Sequence, residues 1–134
     1  ESALLERFRG QPSPPAIEPV ATPEDLLSAR QRVQAVRVEA PARDYVLALI
    51  RATREHDKLR LGASPRATLA LQAAAQAAAA LAGRSYVIPD DVKRMAGAAL
   101  SHRIIPEMSA TLSGTDAAAI VSEILRSVPV PLDT

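Results

Sequence analysis

The chain contains no cysteine, which excludes a disulfide framework, a thiolate metal site and a thiol nucleophile. Its two histidines, His56 and His102, lie 46 residues apart. Neither stands at i, i+4 from another ligand type in a recognisable set, so no metal site is expected and both read as solvated surface residues. There is no GxxxxGK followed by Ser or Thr to cradle a polyphosphate, so the chain is not a whole nucleotide hydrolase. No GxSxG elbow and no Ser, His and acid set at readable spacing is present, and no catalytic residue is nominated. A basic-then-apolar leader is missing too. The longest uncharged run, 67–83, is alanine-rich, carries Gln72 and Gln76, and is too short for a comfortable bilayer span, so it reads as a buried helix.

What is present fits one globular domain. A length of 134 residues suffices to bury a single core. Hydrophobic residues make up 48% and charged residues 23%, with 16 basic against 15 acidic groups. The net charge of +1 gives no pull toward nucleic acid or acidic lipid. Arginine outnumbers lysine 14 to 2, but alanine is equally inflated, and GC-rich codon usage accounts for both. Opening on Glu1 rather than Met, the chain is expected to be a piece of a longer protein.

Apolar residues recur at helical spacing in five to six segments, and nowhere does period-two alternation run long enough to argue a sheet. The expectation is an all-α, compact helical bundle. Leu4, Leu5 and Phe8 mark a first short helix ending at Gly10, and 11–22, with four of the eleven prolines, reads as an extended tether. Thr22 caps a second helix with Pro23 at its first position and Glu24 and Asp25 at its positive end, its inward stripe being Leu26, Ala29, Val33 and Val36. Pro41 starts a third, burying Tyr45, Val46, Leu49 and Ile50 and turning Arg43, Asp44 and Arg51 elsewhere. Ser64 and Pro65 open the central alanine-rich helix, with ten alanines between Ala67 and Ala82, closed by a left-handed Gly83. Pro89, Asp90 and Asp91 begin the next, whose Val92, Met95, Ala96, Ala99 and Leu100 form the cleanest amphipathic stripe. Residues 104–134 read as a connector to Gly114 and a last helix capped near Thr115 or Asp116, with Ile120, Val121, Ile124, Leu125 and Val128 inward and Pro129 and Pro131 as its stop.

One segment carries chemistry: Gly62-Ala63-Ser64-Pro65-Arg66-Ala67, directly before the central helix. Free N–H groups and the dipole make a helix start an anion site, and the Arg66 guanidinium can pair with phosphate oxygens through two hydrogen bonds. A cation there is the wrong sign for the helix itself, costing about 0.3–1 kcal/mol. Such a conflict points to function; the structural alternative is that Arg66 faces water or reaches Glu55 or Asp57.

The segments RLGASPRATLAL and GRSYVIPDDVKRMAGAALSHRI resemble the small helical lid of the MoxR family of AAA+ ATPases. The likeness is close over 60–104 and looser through TPEDLL and YVLALIRATREH upstream and SEILRSVPVP downstream, so that 1–134 as a whole reads as the lid. The resemblance implies that the lid closes over ATP and Mg2+ held in a nucleotide-binding core outside this chain, the isolated chain holding no cofactor. It makes Arg66 the sensor 2 arginine that contacts the γ-phosphate, with Gly62, Ser64 and Pro65 forming the segment that presents it. It further implies a ring, hexameric in this family, a chaperone-like role in a bacterial cytoplasm, and a partner bearing a von Willebrand factor A domain; neither nucleic acid nor a membrane span is expected. This chain departs from the family in having Ile88 where a Thr or Ser caps the fifth helix, a loss of about 0.5–2 kcal/mol unless compensated. His102 and Arg103 match a recurrent pair at that helix's end, where Arg103 faces a neighbouring subunit or favours the negative end of the dipole. The alternative reading is a stand-alone interaction or histone-like DNA-binding module, which a DNA affinity falling steeply with salt would mark.

Overall fold

The computed structural model describes residues 17–131 together with Ser2 and Ala3. The expected first helix up to Gly10 and the 11–16 part of the tether lie outside the described residues. Residues 17–22 form no regular element and are exposed.

Six helices follow in the described residues: α1 (Pro23–Gln34), α2 (Ala40–Glu55), α3 (Pro65–Leu81), α4 (Pro89–Leu100), α5 (Met108–Leu112) and α6 (Ala117–Ser127). A 3-10 turn, Ser101–Arg103, extends α4. The fold class is all-α, as expected. No helix among the described residues is long and apolar enough to cross a membrane.

Prolines set the starts. Pro23, Pro65 and Pro89 each occupy the first helical turn, where a missing N–H costs nothing and the fixed φ favours entry. Thr22 caps α1 reciprocally: its hydroxyl accepts from the Asp25 N–H at 3.1 Å while the Asp25 carboxylate accepts from the Thr22 N–H at 2.9 Å. Asp116 caps α6, accepting from the Ala119 N–H at 2.7 Å. α3 ends in a Schellman turn in which Gly83, at φ +73, donates to Ala80 and Arg84 donates to Ala79, both at 2.9 Å.

α3 and α4 make the most extensive helix pair, and their alanines allow it: Ala67, Ala75 and Ala79 of α3 and Ala96 of α4 are fully buried. α2 packs across both and supplies Tyr45, Val46, Leu49 and Ile50, while α6 closes the core with Ile120, Val121 and Ile124. Only one stripe of α3 is inward. Leu69 and Leu81 on its other faces are 68% and 91% exposed, so the expectation of a buried helix holds for one face alone.

α1 departs from expectation. Val36, just beyond its end, is buried and Ala29 and Val33 are half-buried, but Leu26 is 67% exposed and α1 itself buries no residue. The helix packs chiefly on α3 through its C-terminal half, fastened where Gln76 Nε2 donates to the Val36 carbonyl at 2.7 Å. Residues 23–28 at its start are exposed.

Two short backbone pairings accompany the helices. β1 (Leu59–Leu61) runs antiparallel to β2 (Ile105–Pro106), and Arg37 bridges in parallel to Tyr86. The expected connector after Ile104 therefore contains a strand and the short helix α5, which ends in its own left-handed glycine, Gly114 at φ +80. Strands of two or three residues show no readable alternation.

Candidate functional site

The segment 62–64 is held against the end of α2. A Cβ on Gly62 would lie 2.6 Å from the Thr53 carbonyl oxygen and 2.7 Å from the Arg54 Cα, so only glycine lets the two backbones meet. The next residue, Ala63, is buried and bonded on both sides: its N–H donates to Thr53 Oγ1 and its carbonyl accepts from Arg54 Nε, each at 2.9 Å. Thr53, itself buried, donates onward to the Ile50 carbonyl at 2.6 Å.

That clamp fixes where α3 begins. Ser64 stands at the N-cap, and its carbonyl accepts from Ala67 at 2.9 Å, but its hydroxyl makes no cap bond, contrary to the usual role of serine there. Pro65 follows, then Arg66, which is exposed. Among the described residues Arg66 forms no ion pair and no hydrogen bond, and Glu55 and Asp57 do not reach it. Cation and helix dipole repel at this spot, a cost of about 0.3–1 kcal/mol left uncompensated. The arrangement suits the oxygens of a phosphate group.

A groove of about 680 Å³ adjoins the same loop, lined by Arg54, Arg60, Arg103 and the stretch from Leu61 to Pro65. Arg66 does not line it. No acidic residue lines it either. Sequence reasoning missed Arg54 and Arg60 and read Arg103 as facing a neighbouring subunit or favouring the negative end of the helix dipole. The groove forms because β1 and β2 pair, bringing Arg60 beside the turn that carries Arg103, and no local spacing signals that. Among the described residues no group of three or more His, Asp or Glu side chains is placed to hold a metal ion.

The loss of a hydroxyl cap at Ile88 is compensated. Asp91, 2% exposed, accepts from the Ile88 N–H at 3.1 Å and takes both ends of the Arg84 guanidinium at 2.7 Å, with Arg94 at 3.1 Å. The Arg84 fork, more than offsetting burial, holds the Asp91 carboxyl below its ordinary value of 3.8. This clamp ties the end of α3 to the start of α4.

His102 is exposed as expected, but His56 is not a solvated residue. Its side chain is 21% exposed, with Nδ1 accepting from the Lys58 N–H at 3.2 Å and Nε2 lying 3.6 Å from Glu123. Lys58 completes that contact at 2.9 Å, and its hydrogen bond holds the Glu123 carboxyl below the usual range. The cluster links the α2 end to α6.

Comparison with known proteins agrees with this architecture. Residues 51–124 match the family described as AAA lid domain. The chain is 41% identical over 116 residues to YeaC of Bacillus subtilis, covering 87% of this chain and 36% of that protein. It is 30% identical over 133 residues to Chaperone MoxR1 of Mycobacterium tuberculosis, covering 92% and 35%. A crystal structure of a Cytophaga hutchinsonii protein assigned as an ATPase superposes with a TM-score of 0.83 at 28% identity, covering 98% of this chain and 42% of that one. The chain thus spans about a third of the length of the curated relatives it matches. It belongs to the AAA lid domain family and is a lid of the MoxR type.

Proposed function

We propose that residues 1–134 work as the lid over an ATP site whose phosphate loop and magnesium carboxylate lie in a nucleotide-binding core, and that Arg66 is the sensor 2 residue meeting the γ-phosphate. The observation that carries this reading is an exposed arginine with no partner among the described residues, in the first turn of a helix whose start is locked by Gly62, Thr53 and Arg54. A rigid base under one unpaired guanidinium is what a distance-sensitive phosphate contact requires. Gly62, Ser64 and Pro65 fix the position of that contact and are not chemical participants.

Magnesium would be held by the core and supply charge neutralisation on the phosphates; the lid's share is the guanidinium. Lid closure driven by that contact would couple nucleotide state to remodelling of a partner protein, in a ring of like subunits and in the cytoplasm, with a von Willebrand factor A domain protein as a candidate partner. The test is Arg66→Ala in the full-length protein. ATP turnover is expected to fall with the fold intact by circular dichroism; unchanged turnover and unchanged nucleotide affinity together would remove the sensor assignment.

A further inference from the structure

The groove beside the α3 start has a composition that the nucleotide reading does not use. Arg54, Arg60 and Arg103 converge on it with no carboxylate in its lining, in a chain whose net charge is only +1. Arg54 commits Nε to Ala63 and keeps its terminal nitrogens, while Arg60 and Arg103 are exposed and form no ion pair or hydrogen bond among the described residues. Elsewhere this protein pairs its half-buried Arg84 with a carboxylate. Here positive charge is concentrated and left open.

Between the arginines the groove offers apolar surface from Leu61, 56% exposed, and from the exposed Pro65, beside Ser64. A bare phosphate would satisfy the cations and leave that surface wet. Nucleic acid would be expected to find stacking rings, and no aromatic residue lines the groove. A polypeptide that alternates carboxylates with an apolar side chain matches both parts, because each guanidinium can take a carboxylate through two bonds and the apolar side chain covers Leu61. We infer that this groove is a docking site for an acidic segment of a partner protein, with Arg60 and Arg103 as its principal contacts. The groove shares Gly62, Ser64 and Pro65 with the segment that presents Arg66, but the inference rests on Arg60 and Arg103, which the nucleotide reading does not use.

The test is a fluorescence anisotropy titration of the 134-residue chain with a dye-labelled peptide of about eight residues alternating Glu and Leu. A Gln and Leu counterpart serves as the control. The Glu peptide is expected to bind roughly tenfold or more tightly than the Gln peptide, with affinity falling as salt rises. The double variant Arg60→Gln, Arg103→Gln should lose that advantage, whereas Arg66→Gln should keep it. The peptide comparison needs no variant, so a folding defect in the double variant leaves it decisive. Equal affinity for the two peptides, or no binding of the Glu peptide, overturns the proposal. So does full affinity in the folded double variant, or displacement of the peptide by an equimolar amount of inorganic phosphate, which would make the groove a phosphate site.

Discussion

Asp91→Asn removes a charge from the centre of the clamp between α3 and α4 while nearly preserving shape. The carboxylate accepts four bonds: two from Arg84 at 2.7 Å, one from Arg94 at 3.1 Å and one from the Ile88 N–H at 3.1 Å. Breaking a buried pair by removing one partner costs about 3–5 kcal/mol. Here the Arg84 side chain is 25% exposed and Arg94 is 59% exposed, so water recovers part of the loss and the Arg94 arm counts for little. An asparagine also keeps one acceptor oxygen, but its NH2 must face a guanidinium N–H. The expected cost is about 3 kcal/mol, against a total stability on the order of 5–15 kcal/mol. That corresponds to a midpoint roughly 10 °C lower in a thermal melt followed by far-ultraviolet circular dichroism.

The control is Asp90→Asn, one residue away and exposed, which forfeits only its interaction with the helix dipole, about 0.3–1 kcal/mol. If the two variants melt together, the clamp is not what fixes α4. The pH dependence supplies a second check with a definite sign. The folded-state value of Asp91 is depressed, so its contribution is complete above the unfolded value near 3.8 and is lost as pH falls through the lower folded value. The gap between wild type and Asp91→Asn should therefore be constant near neutrality and close only below about pH 4.

Gly62→Ala would push a Cβ to 2.6 Å from the Thr53 carbonyl, so the backbone must shift, and a loss of about 2–3 kcal/mol in urea unfolding is expected. Tyr45 is fully buried, with a hydroxyl that has no hydrogen-bond partner among the described residues. Tyr45→Phe should therefore cost under about 0.5 kcal/mol or stabilise, and a loss above about 1 kcal/mol would show that the hydroxyl is paired. Thr22→Ala breaks the α1 cap, worth about 1 kcal/mol. Because α1 buries no residue, the effect should appear as faster hydrogen exchange in α1 with the global midpoint unchanged.

How much of this was legible follows the range of each signal. Pro23, Pro65, Pro89, Thr22 and Gly83 act within one turn of themselves, and each marks the boundary that its own stereochemistry dictates. The stripes of α2, α4 and α6 were equally readable because each meets the core along most of its length. Leu26 was misread because an apolar stripe shows only that a helix can be covered, and residues 23–28 at the start of α1 are exposed. Asp91 read only as part of a helix start, since nothing local couples it to Arg84 seven positions earlier; the Schellman turn at Gly83 is what aims that guanidinium back. Of the site, Arg66 was legible as a sign conflict at a helix start. Arg60 and Arg103 were not, because a strand pairing between residues 59–61 and 105–106 brings them together.

The central claim, that Arg66 meets the γ-phosphate, is tested most directly by measuring ATP and ADP affinities side by side in the full-length protein and its Arg66→Ala variant. A lost charge-assisted contact to that phosphate should weaken ATP binding roughly tenfold or more while leaving ADP binding within about twofold. An equal change for the two nucleotides, or none for either, would contradict it.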